Sequence, residues 1–142
     1  MVAKVFAPVE GVNGELAVPP ATELPFARRG QSSRVSMEFP LEVDVTTAAQ
    51  QVQAGALLLD IREPFETAIC TVAGSRLMPM REVPEHLADL PRDQPILVLC
   101  HAGVRSLRVT QFLRANGFAQ VSNVAGGITA WSEQIDPSLA RY

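Results

Sequence analysis

The stretch ILVLCHAGVRSLRVTQFLRANG, Ile96 to Gly117, decides the fold. Four consecutive apolar residues open it, the pattern of a strand buried on both faces. A helical pattern closes it, from Ser106 to Asn116, with Val109, Phe112 and Leu113 on one face and Gly117 placed to end it. A buried strand that runs almost directly into a helix is half of a β-α-β unit, and such units build parallel sheets covered by helices.

The same alternation extends outward in both directions. Leu41 to Val45 reads as a short strand, with Thr46 as the N-cap of a helix that runs to about Gln53 and stops at Gly55. Ala56 to Ile61 (ALLLDI) is a second apolar strand. Glu63-Pro64 opens a helical turn, with Pro64 suited to a first helical position. Arg76 to Pro79 reads as a brief strand, Pro84 to Leu90 as helix, Val121 to Val124 as the last strand and Ile128 to Gln134 as the last helix. The expected class is α/β, with ligands bound beyond the carboxyl ends of the strands. Cys100 stands at such an end, directly after the most apolar strand.

At 142 residues the chain holds one domain and hardly two. Residues 1–36 are expected to be a loosely ordered or packing arm, and residues 37–142 the compact domain. Five of the eleven prolines lie in the first 40 residues, where periodicity is poor. Val2 to Phe6 or Val35 to Phe39 is the segment that would add an edge strand or pack on a neighbouring chain. The net charge of −3 argues against a nucleic-acid partner, which needs a basic surface. No apolar run reaches membrane-span length, and no basic region followed by an apolar core suggests a secretory leader. Two cysteines, Cys70 and Cys100, make no disulfide framework, so a cytoplasmic protein with reduced thiols is the expectation. Two histidines without a C-x-x-C pair suggest no metal site.

The loop between strand and helix is where chemistry is expected. His101, Ala102, Gly103 and Val104 form a tight arc after Cys100, and Arg105-Ser106 enters the helix. Gly103 lets the backbone curl inward, so that successive amides aim at one centre and make an anion-binding nest. The helix N-terminus adds partial positive charge. Arg105 adds either a full charge or hydrogen bonds that hold the loop's shape. These features favour a thiolate, hence a nucleophile, over the alternative of a small buried hydrophobe.

CHAGVRS resembles the active-site loop of rhodanese-type sulfurtransferases, C-x-x-G-x-R-S in many single-domain members. LLLDIREPFE resembles the family's D-x-R-x-x-x-E segment, and VAGGITAW its closing G-G-x-x-x-W segment. Together they cover about Leu41 to Trp131. The resemblance implies a three-layer, five-stranded and mostly parallel sheet with helices on both faces. It implies a Cys100 that carries sulfane sulfur as a persulfide, and no metal or organic cofactor. The expected reaction has two covalent steps. Cys100 takes sulfur from thiosulfate or a persulfide donor, and cyanide, a thiol or an acceptor protein removes it. The loop amides, with Arg105, would stabilise the anionic persulfide. Phosphatases of the same fold place five residues between cysteine and arginine, and this chain has four, a cradle tight for phosphate or arsenate. A persulfide carrier or sensor without turnover is the other reading of the same loop.

Asp60, Arg62 and Glu66 read either as an acid–base set or, more simply, as an arginine–carboxylate arrangement that fixes the loop after ALLLDI, with Arg62 a candidate for the pocket mouth. The family's usual glycine-histidine pair is replaced near Cys70 by ICTVAGS, which leaves Cys70 as an inert thiol or a resolving one. His101 is expected to point out of the cradle, at a rim that attracts anionic donors, and His86 to lie at the surface. Gly126-Gly127 should turn close to the Cys100 loop, with Trp131 packed as core. The tail, AWSEQIDPSLARY, resembles the ends of rhodanese domains fused behind adenylyltransferases, which suggests a separate acceptor protein.

Overall fold

The computed structural model describes residues 39–142. The arm at residues 1–36, and the edge strands considered within it and at Val35 to Phe39, lie outside the described residues, Phe39 excepted. Among the described residues five strands run: β1 (Glu42–Val43), β2 (Leu57–Asp60), β3 (Arg76–Leu77), β4 (Ile96–Leu99) and β5 (Val121–Val124). The helices are α1 (Val45–Gln53), α2 (Pro64–Thr67), α3 (Val104–Ala115) and α4 (Gly127–Gln134), and a 3-10 segment spans Met80–Asp89. The sheet order is β1-β5-β4-β2-β3, and every pairing is parallel. The strand that carries Cys100 is therefore central. Among the described residues no helix is long and apolar enough to cross a membrane.

Strand alternation divides the core into two layers. Leu59, Ile96, Val98 and Cys100 face one side, where they meet Val109 and Leu113 of α3 and Val83 of the 3-10 segment. Leu58, Leu97 and Leu99 face the other and meet Val45 and Ala48 of α1 and Ile128 and Trp131 of α4. All four residues of β4 are fully buried. At about 1.5–3 kcal/mol for each side chain, this strand alone contributes on the order of 10 kcal/mol of apolar burial. That anchorage gives the loop after it a rigid base.

Several local expectations are corrected. The α1 N-cap is Asp44 rather than Thr46, and its carboxylate accepts from the Thr47 amide at 2.8 Å. The α3 helix starts at Val104, two residues early, because Gly103 takes the N-cap position with φ +105°. Phe112 turns outward, 36% exposed, while Ser106, Val109, Thr110 and Leu113 form the buried face. The segment expected as a helix from Pro84 is a 3-10 run with a break at His86 (φ −121°, ψ 24°). Pro84 lies inside that run, where it has no N–H to give to a helical ladder.

Candidate active site

Cys100 leaves the central strand at its carboxyl end and is 1% exposed. Three donors converge on its Sγ: the Gly103 amide at 3.1 Å, the Ser106 amide at 3.3 Å and the Ser106 hydroxyl at 3.1 Å. Convergent donors around one atom form a nest suited to an anion. Gly103 is required twice over. Its φ of +105° is the left-handed region, and a Cβ on it would sit 3.1 Å from the Gly126 nitrogen. The first amides of α3 have no carbonyl within their own helix to bond, and one of them, that of Ser106, meets Cys100 at the positive end of the helix dipole.

The loop is tied to the turn before α4. The Cys100 carbonyl accepts from the Ile128 amide at 2.8 Å, and the His101 carbonyl from Thr129 at 3.1 Å. Gly127 makes this approach possible: a Cβ there would lie 2.4–2.6 Å from backbone atoms of Cys100 and His101. Gly126-Gly127 thus sits against the loop, and Trp131 packs into the core behind it.

The Arg105 guanidinium is taken up by a carboxylate. Both terminal nitrogens engage Glu66, at 2.8 Å each, in a bidentate pair across 39 residues of sequence. The pair fits a role in holding the loop's shape, and the Arg105 charge also lies close enough to Cys100 for the two to interact. The Arg105 hydrogen bonds, working against burial, bring the Glu66 carboxyl down from 4.5 to about 2. The same bonds raise the Arg105 pKa. Glu66 also accepts from the Glu63 amide at 3.0 Å, which closes a capping box at the start of α2.

Asp60 and Arg62 form a second, deeper pair. Arg62 Nη2 meets Asp60 Oδ2 at 2.6 Å, and Nε meets Oδ1 at 2.9 Å. Arg62 is 1% exposed, so it sits beneath the loops and not at the pocket mouth. Burial opposes its charge, and the hydrogen bonds with Asp60 and Tyr142 overcome this and raise its pKa. Its Nη2 also donates to the Cys70 carbonyl at 2.8 Å, so residue 70 serves as a backbone anchor. The Cys70 side chain packs against the α1–α4 layer while Cys100 lies in the α3 layer, and both thiols are free.

Tyr142 was not among the residues singled out from the sequence. Its hydroxyl accepts from Arg62 Nη1 and donates to Glu66 Oε1, at 3.0 Å each. Its ring stacks on His101 with centroids 4.2 Å apart, and its carbonyl lies 3.0 Å from His101 Nε2. His101 therefore points away from Sγ, into the tail. Asp60–Arg62, Glu66–Arg105 and His101 become one connected polar frame through this phenol. Nothing local in the sequence marks a tail tyrosine for this place; its partners lie 41 to 80 residues upstream. Ala102 and Val104 are exposed on the outer arc of the loop. His86 lies apart from this frame and faces Asp89 at 3.0 Å.

Comparison with known proteins matches residues 44–134 to the model of the rhodanese-like domain. The chain is 31% identical over 101 residues to a sulfurtransferase of Allochromatium vinosum, a match covering 70% of this chain and 94% of that one. It is 37% identical over 91 residues to the rhodanese-like/PpiC domain-containing protein 12 of Arabidopsis thaliana, covering 61% of this chain and only 30% of that longer relative. A match also exists to the adenylyltransferase and sulfurtransferase MOCS3-2 of Zea mays, over 19% of its length. Among solved structures, a rhodanese-related protein from Thermoplasma volcanium superposes with a TM-score of 0.63 at 31% identity, covering 68% of this chain and 94% of that one.

Proposed function

The chain belongs to the rhodanese-like family, and on that premise we propose that it is a sulfurtransferase working through a Cys100 persulfide. The observation that carries the reading is the convergence of the Gly103 amide, the Ser106 amide and the Ser106 hydroxyl on one sulfur. In the first step the Cys100 thiolate attacks the outer sulfur of thiosulfate. The S–S bond of the donor breaks, sulfite leaves with its electron pair, and an anionic Cys–S–S⁻ remains. In the second, an acceptor such as cyanide or a thiolate attacks the terminal sulfur, and the Cys100 thiolate is regenerated.

The amides divide the work. Those of Gly103 and Ser106 hold Sγ, and those of Val104 and Arg105, in the same first turn, are left for the outer sulfur. Arg105 and Glu66 keep that turn in place, with Arg62 and Asp60 behind them. The covalent cysteine carries the sulfur, so neither metal nor organic cofactor enters the scheme. Four residues between Cys100 and Arg105 make a narrow arc, which favours sulfur over phosphate or arsenate. The physiological acceptor is a thiol or a sulfur-acceptor protein, a proposal supported by the tail's likeness to fused sulfurtransferases.

Intact-mass measurement after thiosulfate, beside a thiosulfate:cyanide assay, tests the reading. Wild type gains one sulfur and forms thiocyanate, and Cys100→Ser does neither. A persulfide without turnover would make the chain a carrier or sensor. Phosphatase activity without a persulfide would overturn the proposal.

A further inference from the structure

The β5 strand, VSNV, is buried throughout, yet its third residue is an asparagine at 0% exposure. Asn123 Nδ2 donates to the Gly103 carbonyl at 3.1 Å and to Glu42 Oε2 at 2.8 Å. These two acceptors settle which end of the amide is the nitrogen. Its Oδ1 is buried and has no hydrogen-bond partner among the described residues. A stranded acceptor is a standing cost that a valine, as at Val121 and Val124, would not carry. The side chain must therefore be explained by what its nitrogen does.

The Gly103 carbonyl belongs to the peptide unit that also carries the Val104 amide. That unit is trans, so its C=O and N–H point in opposite directions. Drawing the carbonyl back toward β5 turns the Val104 N–H the other way, away from β5, and the amides on either side of it in the chain, those of Gly103 and Ser106, both meet Sγ. Glycine constrains this unit less than any other residue would, so its tilt depends on a neighbour.

We propose that Asn123 is the positioning residue of the cradle: its side-chain amide holds the Gly103–Val104 peptide so that the Val104 N–H meets the outer sulfur of the Cys100 persulfide. This rests on the sulfur-transfer reading. Asn123 touches no reacting atom. Its effect falls on the balance E–S⁻ + S–SO3²⁻ ⇌ E–S–S⁻ + SO3²⁻, in which only the right-hand enzyme form needs that amide.

The test is the ratio of persulfide to free enzyme at equilibrium in fixed thiosulfate–sulfite mixtures, read by intact mass at 25 °C, with thermal unfolding measured alongside. Asn123→Ala should lower the ratio about tenfold, as the loss of one hydrogen bond to a charged group would. Glu42→Ala leaves the amide on Gly103 and should leave the ratio unchanged. Should Asn123→Ala fail to fold, Asn123→Ser, too short to reach the carbonyl, is measured instead with the same expectation. A variant whose melting temperature falls while its ratio stays within twofold of wild type would reduce Asn123 to a structural role and overturn the assignment alone. A wild type that takes up no sulfur would overturn the transfer reading, and this assignment with it.

Discussion

Glu66→Gln removes the carboxylate that clamps Arg105 and receives the Tyr142 hydroxyl. The Glu66 carboxyl stands at about 2 in the folded protein against an ordinary 4.5. At about 1.4 kcal/mol for each pH unit, that difference corresponds to roughly 3 kcal/mol of preference for the charged form on folding. The Arg105 side chain is 35% exposed, and solvent around it screens the pair, which reduces the contribution to about 2 kcal/mol. The sign follows from the direction. A depressed carboxyl stabilises the fold fully above its unfolded value, near 4.5, and loses that contribution as pH falls through about 2. Urea unfolding of wild type and Glu66→Gln, at pH values from 7 to 2, measures it. The two should differ by about 2 kcal/mol at pH 7, and the gap should close between pH 4.5 and 2 as wild type takes up the proton. A gap below about 0.5 kcal/mol at neutral pH, or one that does not change with acid, would refute the reasoning.

Ser106→Ala removes one of three donors to Sγ and keeps both amides. Sulfur loading from thiosulfate should slow about tenfold in stopped-flow with intact-mass readout, while the melting temperature hardly moves. Gly127→Ala drives a Cβ into the Cys100 and His101 carbonyls at a φ of +58°. About 3 kcal/mol of stability should be lost in urea unfolding, from overpacking and left-handed strain together. Tyr142→Phe keeps the stack on His101 but removes the hydroxyl that joins Arg62 to Glu66. It should cost about 1–2 kcal/mol, and a neutral result would show that the phenol does not link the two pairs.

Local pattern was a good guide wherever burial follows sequence period. ALLLDI and ILVL read as strands covered on both faces, and both run through the middle of the sheet. The pattern misled where one turn chooses among close competitors. Asp44 took the cap expected of Thr46, since its carboxylate reaches the Thr47 amide. Spacing puts Phe112 on the core face, but the face that packs is the one carrying Ser106, Val109, Thr110 and Leu113, which leaves Phe112 at its exposed edge.

The sequence by itself determined the β-α alternation, the position of Cys100 at a strand's carboxyl end and the four-residue arc before Arg105. Each is a property of neighbours along the chain, where period, glycine and helix polarity act locally. Only the tertiary structure decided what surrounds that arc: Glu66 on Arg105, Tyr142 across Glu66, Arg62 and His101, and Asn123 on Gly103. These contacts join residues 20 to 80 positions apart, and their partners are chosen by which strand ends and loops the sheet brings together. A hydrogen bond depends on distances of a few tenths of an ångström, and no spacing along the chain encodes that.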